Sequence, residues 1–305
     1  VTIPDLKPGE AVAVDWTEQD YFADRTCLTR SSLMYMGRDP GGFHRYWHLG
    51  EPWDGGSSDA MALGTNAHLA VLQPQEWARR TGIPKIPRPD GARKSAKART
   101  RERCLWEDWQ KAVQRREELM RQIPDRVDVS LAEYGQVQQL AAAIWSHDEA
   151  AVLLSAPGTP EHTLIWREPR HGLLIKCRLD RYTELELVHT YGTKLDPGPA
   201  VVDIKTSRDL RPRPFWRSVV QHGYDIQDAL YSDAAAALLG QQPNYYIVAA
   251  QTDPIRRRAV FRLGADELSQ GRARYLELLD EYVRRRDEDD WLSPWERGVY
   301  TLTRS

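Results

Sequence analysis

Two apolar runs, each interrupted by an aspartate, constrain this chain more than any other feature. Leu173-Leu174-Ile175-Lys176-Cys177-Arg178-Leu179-Asp180-Arg181-Tyr182 alternates as a half-buried strand does, and Ala200-Val201-Val202-Asp203-Ile204-Lys205-Thr206 is a second apolar run rich in β-branched residues. Gly192, Pro197, Gly198 and Pro199 mark a turn-rich connection between them. The pattern predicts a hairpin or neighbouring strands. Residues two apart on a strand share a face, so Asp203 and Lys205 point one way, Val202 and Ile204 the other. An Asp and a Lys on one strand face are costly if buried dry and useful if they line a cleft.

Carboxylates brought together in this way can hold a hard cation such as Mg²⁺. That ion takes oxygen ligands, usually one or two carboxylates with waters and substrate phosphate. Asp180 and Asp203 offer the carboxylates, and the Ile204 carbonyl a further oxygen. Such an ion polarises a phosphoryl group and lowers the pKa of a bound water. Lys205 can orient that water or neutralise charge developing on the phosphate. Phosphodiester hydrolysis needs this chemistry. An Asp-x-Lys triplet alone is more often a surface ion pair. The apolar strands favour a site instead, as does the downstream Gln227-Asp228-Ala229-Leu230-Tyr231, where Gln227 and Tyr231 share a helix face.

In this order and spacing the motifs resemble the PD-(D/E)xK nuclease superfamily, its RecB-like branch, and within that the RecE-type exonuclease domain (exonuclease VIII). The residues that carry the likeness are Leu63 to Trp77, Cys177 to Tyr182, Asp203-Ile204-Lys205-Thr206 and Tyr224 to Asp233, and it extends from about Leu28 to about Phe261. Leu179 stands where the superfamily often has proline, and the triplet begins with Asp203 rather than Glu. The resemblance implies an α/β (α+β) nuclease core, a central mixed sheet flanked by helices with helical N-terminal additions. It implies His68, Asp180, Asp203 and Ile204 as ligands of Mg²⁺, with Mn²⁺ as a substitute, and Lys205, Gln227 and Tyr231 as catalytic partners. Without that context a lone histidine such as His68 is more often a satisfied core residue. The resemblance further implies processive degradation of linear double-stranded DNA from the 5′ strand, leaving a 3′ overhang. A ring-shaped homo-oligomer, trimer or tetramer, a single-strand annealing partner and a cytoplasmic setting, bacterial or phage-encoded, complete the expectation. The alternatives are a related endonuclease or single-strand exonuclease, and a DNA-binding recombination scaffold without catalysis.

The 305 residues suit one large domain. Residues 1–150 read as mainly helical and carry His68, 151–286 as catalytic sheet and helices, and 287–305 as a tail. Helices are expected over Leu28 to His48 with Thr29 as cap, Asp59 to Leu72 closed by Gln73-Pro74-Gln75-Glu76, Arg99 to Gln122, Leu131 to Trp145, Phe215 to Leu239 and Ala265 to Arg286. Strands are expected at Thr163–Arg167, Leu173–Tyr182, Val201–Thr206, Asn244–Ala250 and Ala259–Leu263. Trp53 to Ser58 reads as a Gly/Ser turn, and Thr81 to Ala98, rich in proline and basic residues, as an exposed loop. No apolar run approaches the roughly 18 residues of a membrane span. The chain opens at Val1 without a signal-peptide pattern, as a trimmed chain or a piece of a longer protein would. Cys27, Cys104 and Cys177 lie far apart, which fits free thiols and not an iron–sulfur cluster.

The net charge of −2 is not that of a bulk DNA binder, so the distribution of charge matters more. Lys85 to Arg126 holds thirteen basic residues against seven acidic, and Lys205 to Arg217 five against one. Arg208, Arg211, Arg213 and Arg217, just past the presumed active strand, are expected to meet phosphates. Arg30, Ser31 and Ser32 open a helix, whose N–H groups also favour phosphate, although capping explains the hydroxyls nearly as well. Glu161, before a strand, is a candidate supporting carboxylate. His44 and His48, with Phe43, Tyr46 and Trp47, read as an aromatic packing face.

Overall fold

The computed structural model describes residues 3–52, 58–90, 92, 94 and 100–298. The expected Gly/Ser turn at Trp53 to Ser58 lies outside the described residues except for Ser58, as do parts of the expected basic loop and the last residues of the tail.

The chain opens with strand β1 (Ala11–Val14), then helices α1 (Glu18–Ala23), α2 (Arg30–Arg38), α3 (Pro40–Trp47), α4 (Asp59–Leu72), α5 (Pro74–Thr81), α6 (Thr100–Met120), α7 (Leu131–Trp145) and α8 (Asp148–Ser155). Strands β2 (Gly158–Arg167), β3 (Leu174–Leu185) and β4 (Gly198–Ser207) follow, with the short α9 (Leu187–Thr190) in the β3–β4 connection. Helices α10 (Pro212–His222) and α11 (Tyr224–Leu239) lead to β5 (Asn244–Gln251), β6 (Arg258–Phe261) and α12 (Ala265–Glu288). The six strands form one sheet in the order β1-β2-β3-β4-β5-β6. Only β4 and β5 are parallel, because α10 and α11 carry the chain back across the sheet between them. The sheet is thus mixed and flanked by helices, as the motifs imply. Among the described residues no helix is long and apolar enough to cross a membrane.

Both faces of the sheet are covered. On one face Leu179 of β3, Val201 of β4 and Ile247 of β5 pack with α2, α3, α10, α11 and α12 through Leu33, Phe43, Phe215, Leu230 and Leu279. On the other, Val202, Ile204 and Val248 pack against α4, α5, α7 and α8 through Val71, Trp77, Leu140 and Leu153. A smaller cluster of Leu6, Trp16, Tyr21 and Cys27 covers Ile165 of β2. Strand β4 therefore reads as expected: Val202 and Ile204 face one layer of helices, and Asp203 and Lys205 face the other.

Several elements differ from the expectation, each for a local reason. The helix expected over Leu28 to His48 is two, because Pro40 cannot continue α2 and Asp39 caps α3 by accepting from Gly42 N–H. The helix expected over Phe215 to Leu239 is also two, broken at Gly223, which is left-handed at φ 64°. Gln73 ends α4 and opens α5 at Pro74, so Gln73 to Glu76 begins a helix rather than closing one. Strand β1 is only four residues long and alternates weakly, and α1, α5, α8 and α9 are each eight residues or fewer. Such short pieces carry little periodic signal. His44 and His48 belong to an aromatic cluster, with the His44 and Trp291 rings stacked at 5.0 Å.

Where α12 crosses α11, Gly271 lets the backbones touch. A Cβ there would lie 2.2 Å from the Asp225 carbonyl oxygen. Alanine normally favours a helix over glycine by about 1 kcal/mol, whereas overpacking costs about 1–3 kcal/mol. Gly271→Ala is expected to lower the melting temperature by the overpacking cost. A thermal unfolding curve that shifts upward would show that the helices do not depend on this close approach.

Candidate active site

The site lies where two strands part. Pairing of β3 with β4 runs from Leu185↔Gly198 to Arg181↔Val202 and stops there. The next residues on each strand are Asp180 and Asp203. Past the end of the β3–β4 ladder the Ile204 N–H donates to Asp180 Oδ2 at 2.7 Å. The Asp180 carboxylate thus replaces a ladder carbonyl and lies in the fork between the strands.

Each layer of helices sends one side chain into this fork. Helix α4 brings His68, whose Nε2 is 2.8 Å from Asp180 Oδ2. The other ring nitrogen, Nδ1, is 3.2 Å from Glu161 Oε1 on β2. From the opposite layer α11 brings Gln227, whose Nε2 donates to Asp203 Oδ1 at 2.6 Å. Lys205 Nζ reaches the same oxygen at 2.5 Å and lies 4.9 Å from the centre of the Tyr224 ring. Gln227 is held in turn, because its Oε1 accepts from Arg30 at 2.7 Å, and Arg30 also donates to the His222 carbonyl. Tyr231, one turn along α11, is buried in the core beside the site.

Burial sets the charges. Burial raises the Asp203 carboxyl above its usual range, with nearby Asp180 adding to the rise and Lys205 opposing it. Asp180 goes the other way: burial would raise it, but His68, Lys205 and the Ile204 N–H together hold it low. Burial disfavours a charged His68, yet Asp180 and Glu161 outweigh this and raise it to about 9. In the absence of a metal the two carboxylates thus draw His68 towards its protonated form, and it would have to give up the Nε2 proton to serve as a ligand.

The donors suit a hard cation. Asp203 Oδ2 is buried without a hydrogen-bond partner, a costly state for a carboxylate oxygen unless something positive meets it. No group of three or more His, Cys, Asp or Glu side chains among the described residues forms a metal cage. The residues that would hold a cation are Asp180 and Asp203, with His68 and the Ile204 carbonyl at the same fork.

The structure brings His68, Asp180, Asp203, Ile204, Lys205, Gln227 and Tyr231 to one place. The residues expected to meet DNA divide. Ser31, Arg208, Arg213 and Arg217 are exposed. Arg211 is exposed and paired with Asp209 at 2.6 Å. Ser32 is buried, its hydroxyl spent in the capping box with Thr29. Arg30 is half-buried against Gln227, so its guanidinium props the site. Sequence reasoning missed that prop, since the partners are 197 residues apart. It also missed Arg178, whose Nε lies 2.5 Å from Glu161 Oε2; the spacing of two from Asp180 was the available signal. Beside the site a cleft of about 460 Å³ is lined by Thr29, Ser31, Tyr21, Trp47, Lys176 and Tyr231 among others. Lys176 is buried there, bonded to the Asp24 carboxylate at 3.0 Å and to the Tyr21 and Asp24 carbonyls.

Comparison with known proteins agrees with this architecture. A family model described as a PDDEXK-like domain of unknown function (DUF3799) matches residues 43–294. No curated protein matches the chain. Among solved structures, the crystal structure of a "putative exonuclease" from Eubacterium rectale superposes with a TM-score of 0.55 at 16% identity, covering 96% of each chain. The fold is shared.

Behind the site, burial raises the Asp228 carboxyl to about 7, the Ser232 hydroxyl opposing and Asp203 adding to the shift. Its unfolded value is about 3.8. A carboxyl raised on folding contributes stability that is complete below the unfolded value and is lost as pH rises through the folded one. Asp228→Asn is therefore expected to stabilise the protein relative to wild type more at pH 8 than at pH 4. Urea denaturation at the two pH values checks this, and an equal effect at both would mean that Asp228 does not titrate in this window.

Proposed function

We propose a function from one premise: the chain belongs to the PDDEXK-like family DUF3799. Our reading is a metal-dependent deoxyribonuclease, an exonuclease that degrades linear double-stranded DNA in the 5′-to-3′ direction. The observation that carries the metal-dependent nuclease part is the buried, unpartnered Asp203 Oδ2 beside Asp180 and Lys205. The likeness to a protein described as an exonuclease adds support for end-directed cutting.

A divalent cation at Asp180 and Asp203, Mg²⁺ with Mn²⁺ as substitute, would polarise the scissile phosphate and ease deprotonation of water. The chain's own residues do the rest. Gln227 fixes the Asp203 carboxylate through Oδ1, leaving Oδ2 free. Lys205, on the same strand face, positions the attacking water or offsets the charge growing on the phosphate. Asp180 is kept ionised by its neighbours and so remains a competent ligand at neutral pH. Tyr231 walls the site towards the neighbouring cleft. There the α2 N-terminus with Thr29 and Ser31 offers hydrogen-bond donors to a terminal phosphate. Exposed Arg208, Arg213 and Arg217, with Arg211, extend the charge along the path of the duplex. A ring-shaped homo-oligomer enclosing that duplex, a single-strand annealing partner and work in the cytoplasm complete the reading.

The test is digestion of linear duplex labelled at the 5′ or 3′ end, beside closed circular DNA. Mg²⁺-dependent early loss of the 5′ label, an intact circle, abolition by EDTA and at least a 100-fold loss in Lys205→Ala are the expected results, a size in keeping with removal of one charge-stabilising donor. Cutting of the circle would make the protein an endonuclease. No metal-dependent cleavage of any DNA would make it a binding scaffold.

A further inference from the structure

Glu161 stands out for its backbone. It lies inside β2 yet has φ 54°, in the left-handed region that side-chain-bearing residues rarely adopt. Its neighbours Pro160 and His162 pair normally with Arg181 and Leu179 of β3, and Glu161, opposite Asp180, is the one residue of that stretch without a ladder partner. Strain of this kind collects where a side chain must be aimed.

The side chain is aimed at His68. Glu161 Oε1 is 3.2 Å from His68 Nδ1, while Oε2 is 2.5 Å from Arg178 Nε, so each carboxylate oxygen faces a cationic partner at ion-pair distance. With Nδ1 held by Glu161, Nε2 is directed at Asp180, 2.8 Å from its Oδ2, on the side where the cation donors converge. Histidines that serve metals commonly give their second ring nitrogen to a carboxylate, which fixes both tautomer and ring orientation.

We propose that Glu161 is the positioning residue for His68: its carboxylate, anchored by Arg178 and delivered by the strained turn of β2, presents the Nε2 face of the imidazole to a divalent cation at Asp180. The inference rests on the nuclease reading above. It gives the backbone strain a purpose. The ligand set gains a fixed histidine.

The experiment is a titration with Mn²⁺, followed by electron paramagnetic resonance of the free ion, together with melting temperatures measured without metal. It uses wild type, Asp203→Ala, and Glu161→Ala, Glu161→Gly and Glu161→Gln. Glu161→Ala and Glu161→Gly are expected to bind Mn²⁺ about 10–100-fold more weakly than wild type. Glu161→Gln, whose amide oxygen can still face Nδ1, should lose less. Glu161→Gly should melt above Glu161→Ala, because glycine accepts the backbone angle at no cost, while the two share the same weak affinity. Wild-type affinity in Glu161→Ala, or affinities in the three variants that merely follow their melting temperatures, would overturn the assignment. Wild type that binds no Mn²⁺, or binds it no better than Asp203→Ala, would overturn the nuclease reading and this inference with it.

Discussion

A carboxylate buried in the middle of a sheet governs this structure. Asp203 is 2% exposed between the apolar Val202 and Ile204 of β4, and a bare charge there would be costly by several kcal/mol. Its surroundings answer that cost on one oxygen only. Lys205 and Gln227 both converge on Oδ1, and Arg30 holds Gln227 from behind. The other oxygen is left with nothing. Evolution of a purely structural aspartate would satisfy both oxygens or replace the residue by an apolar one of similar size. The half-satisfied carboxylate is an arrangement that makes sense when a ligand supplies the remainder.

The fork between β3 and β4 lets two layers of helices address the same point. A continuous ladder would separate His68, on one side of the sheet, from Gln227, on the other, by the thickness of the sheet. Because pairing ends at Arg181↔Val202, Asp180 turns into the gap and bonds the backbone of β4. His68 from one layer then reaches Asp180, and Gln227 from the other reaches Asp203. The same parting explains why the alternation of β3 into the core, clear at Ile175, Cys177 and Leu179, does not extend through Asp180.

How much of this was legible in the sequence follows from the range of each interaction. Strands β4 and β5 are marked by continuous apolar runs, β3 by its alternation, and helices α4, α7 and α12 by their length and helix-forming residues. The strand-face argument for Asp203 and Lys205 needed only a spacing of two, and the helix-face argument for Gln227 and Tyr231 only a spacing of four. The grouping of His68 with the two aspartates came through family likeness. Nothing local reports that Arg30 reaches Gln227, that Ser32 spends its hydroxyl on a cap, or that Glu161 sits at a positive φ. Those are properties of tertiary contact, and one-dimensional patterns do not carry them. The breaks at Pro40 and Gly223 were readable in principle, since proline and glycine interrupt helices by known mechanisms.

The separation of β1 from its partner has a consequence for the order of events as the chain is made. Val14 pairs with Thr163, and Ala11 with Trp166, so the first strand waits for about 150 residues before it has a neighbour. At roughly 5–20 residues per second this wait is of the order of 10–30 s. Arg30 waits longer still for Gln227. The N-terminal strand and helices emerge early with apolar faces that later elements must cover. The candidate site is therefore a late product of synthesis, complete only once α11 has brought Gln227 to the carboxylates and lysine that precede it. A ribosome-bound fragment that stops before α11 would carry both aspartates and Lys205 without Gln227, which donates to Asp203.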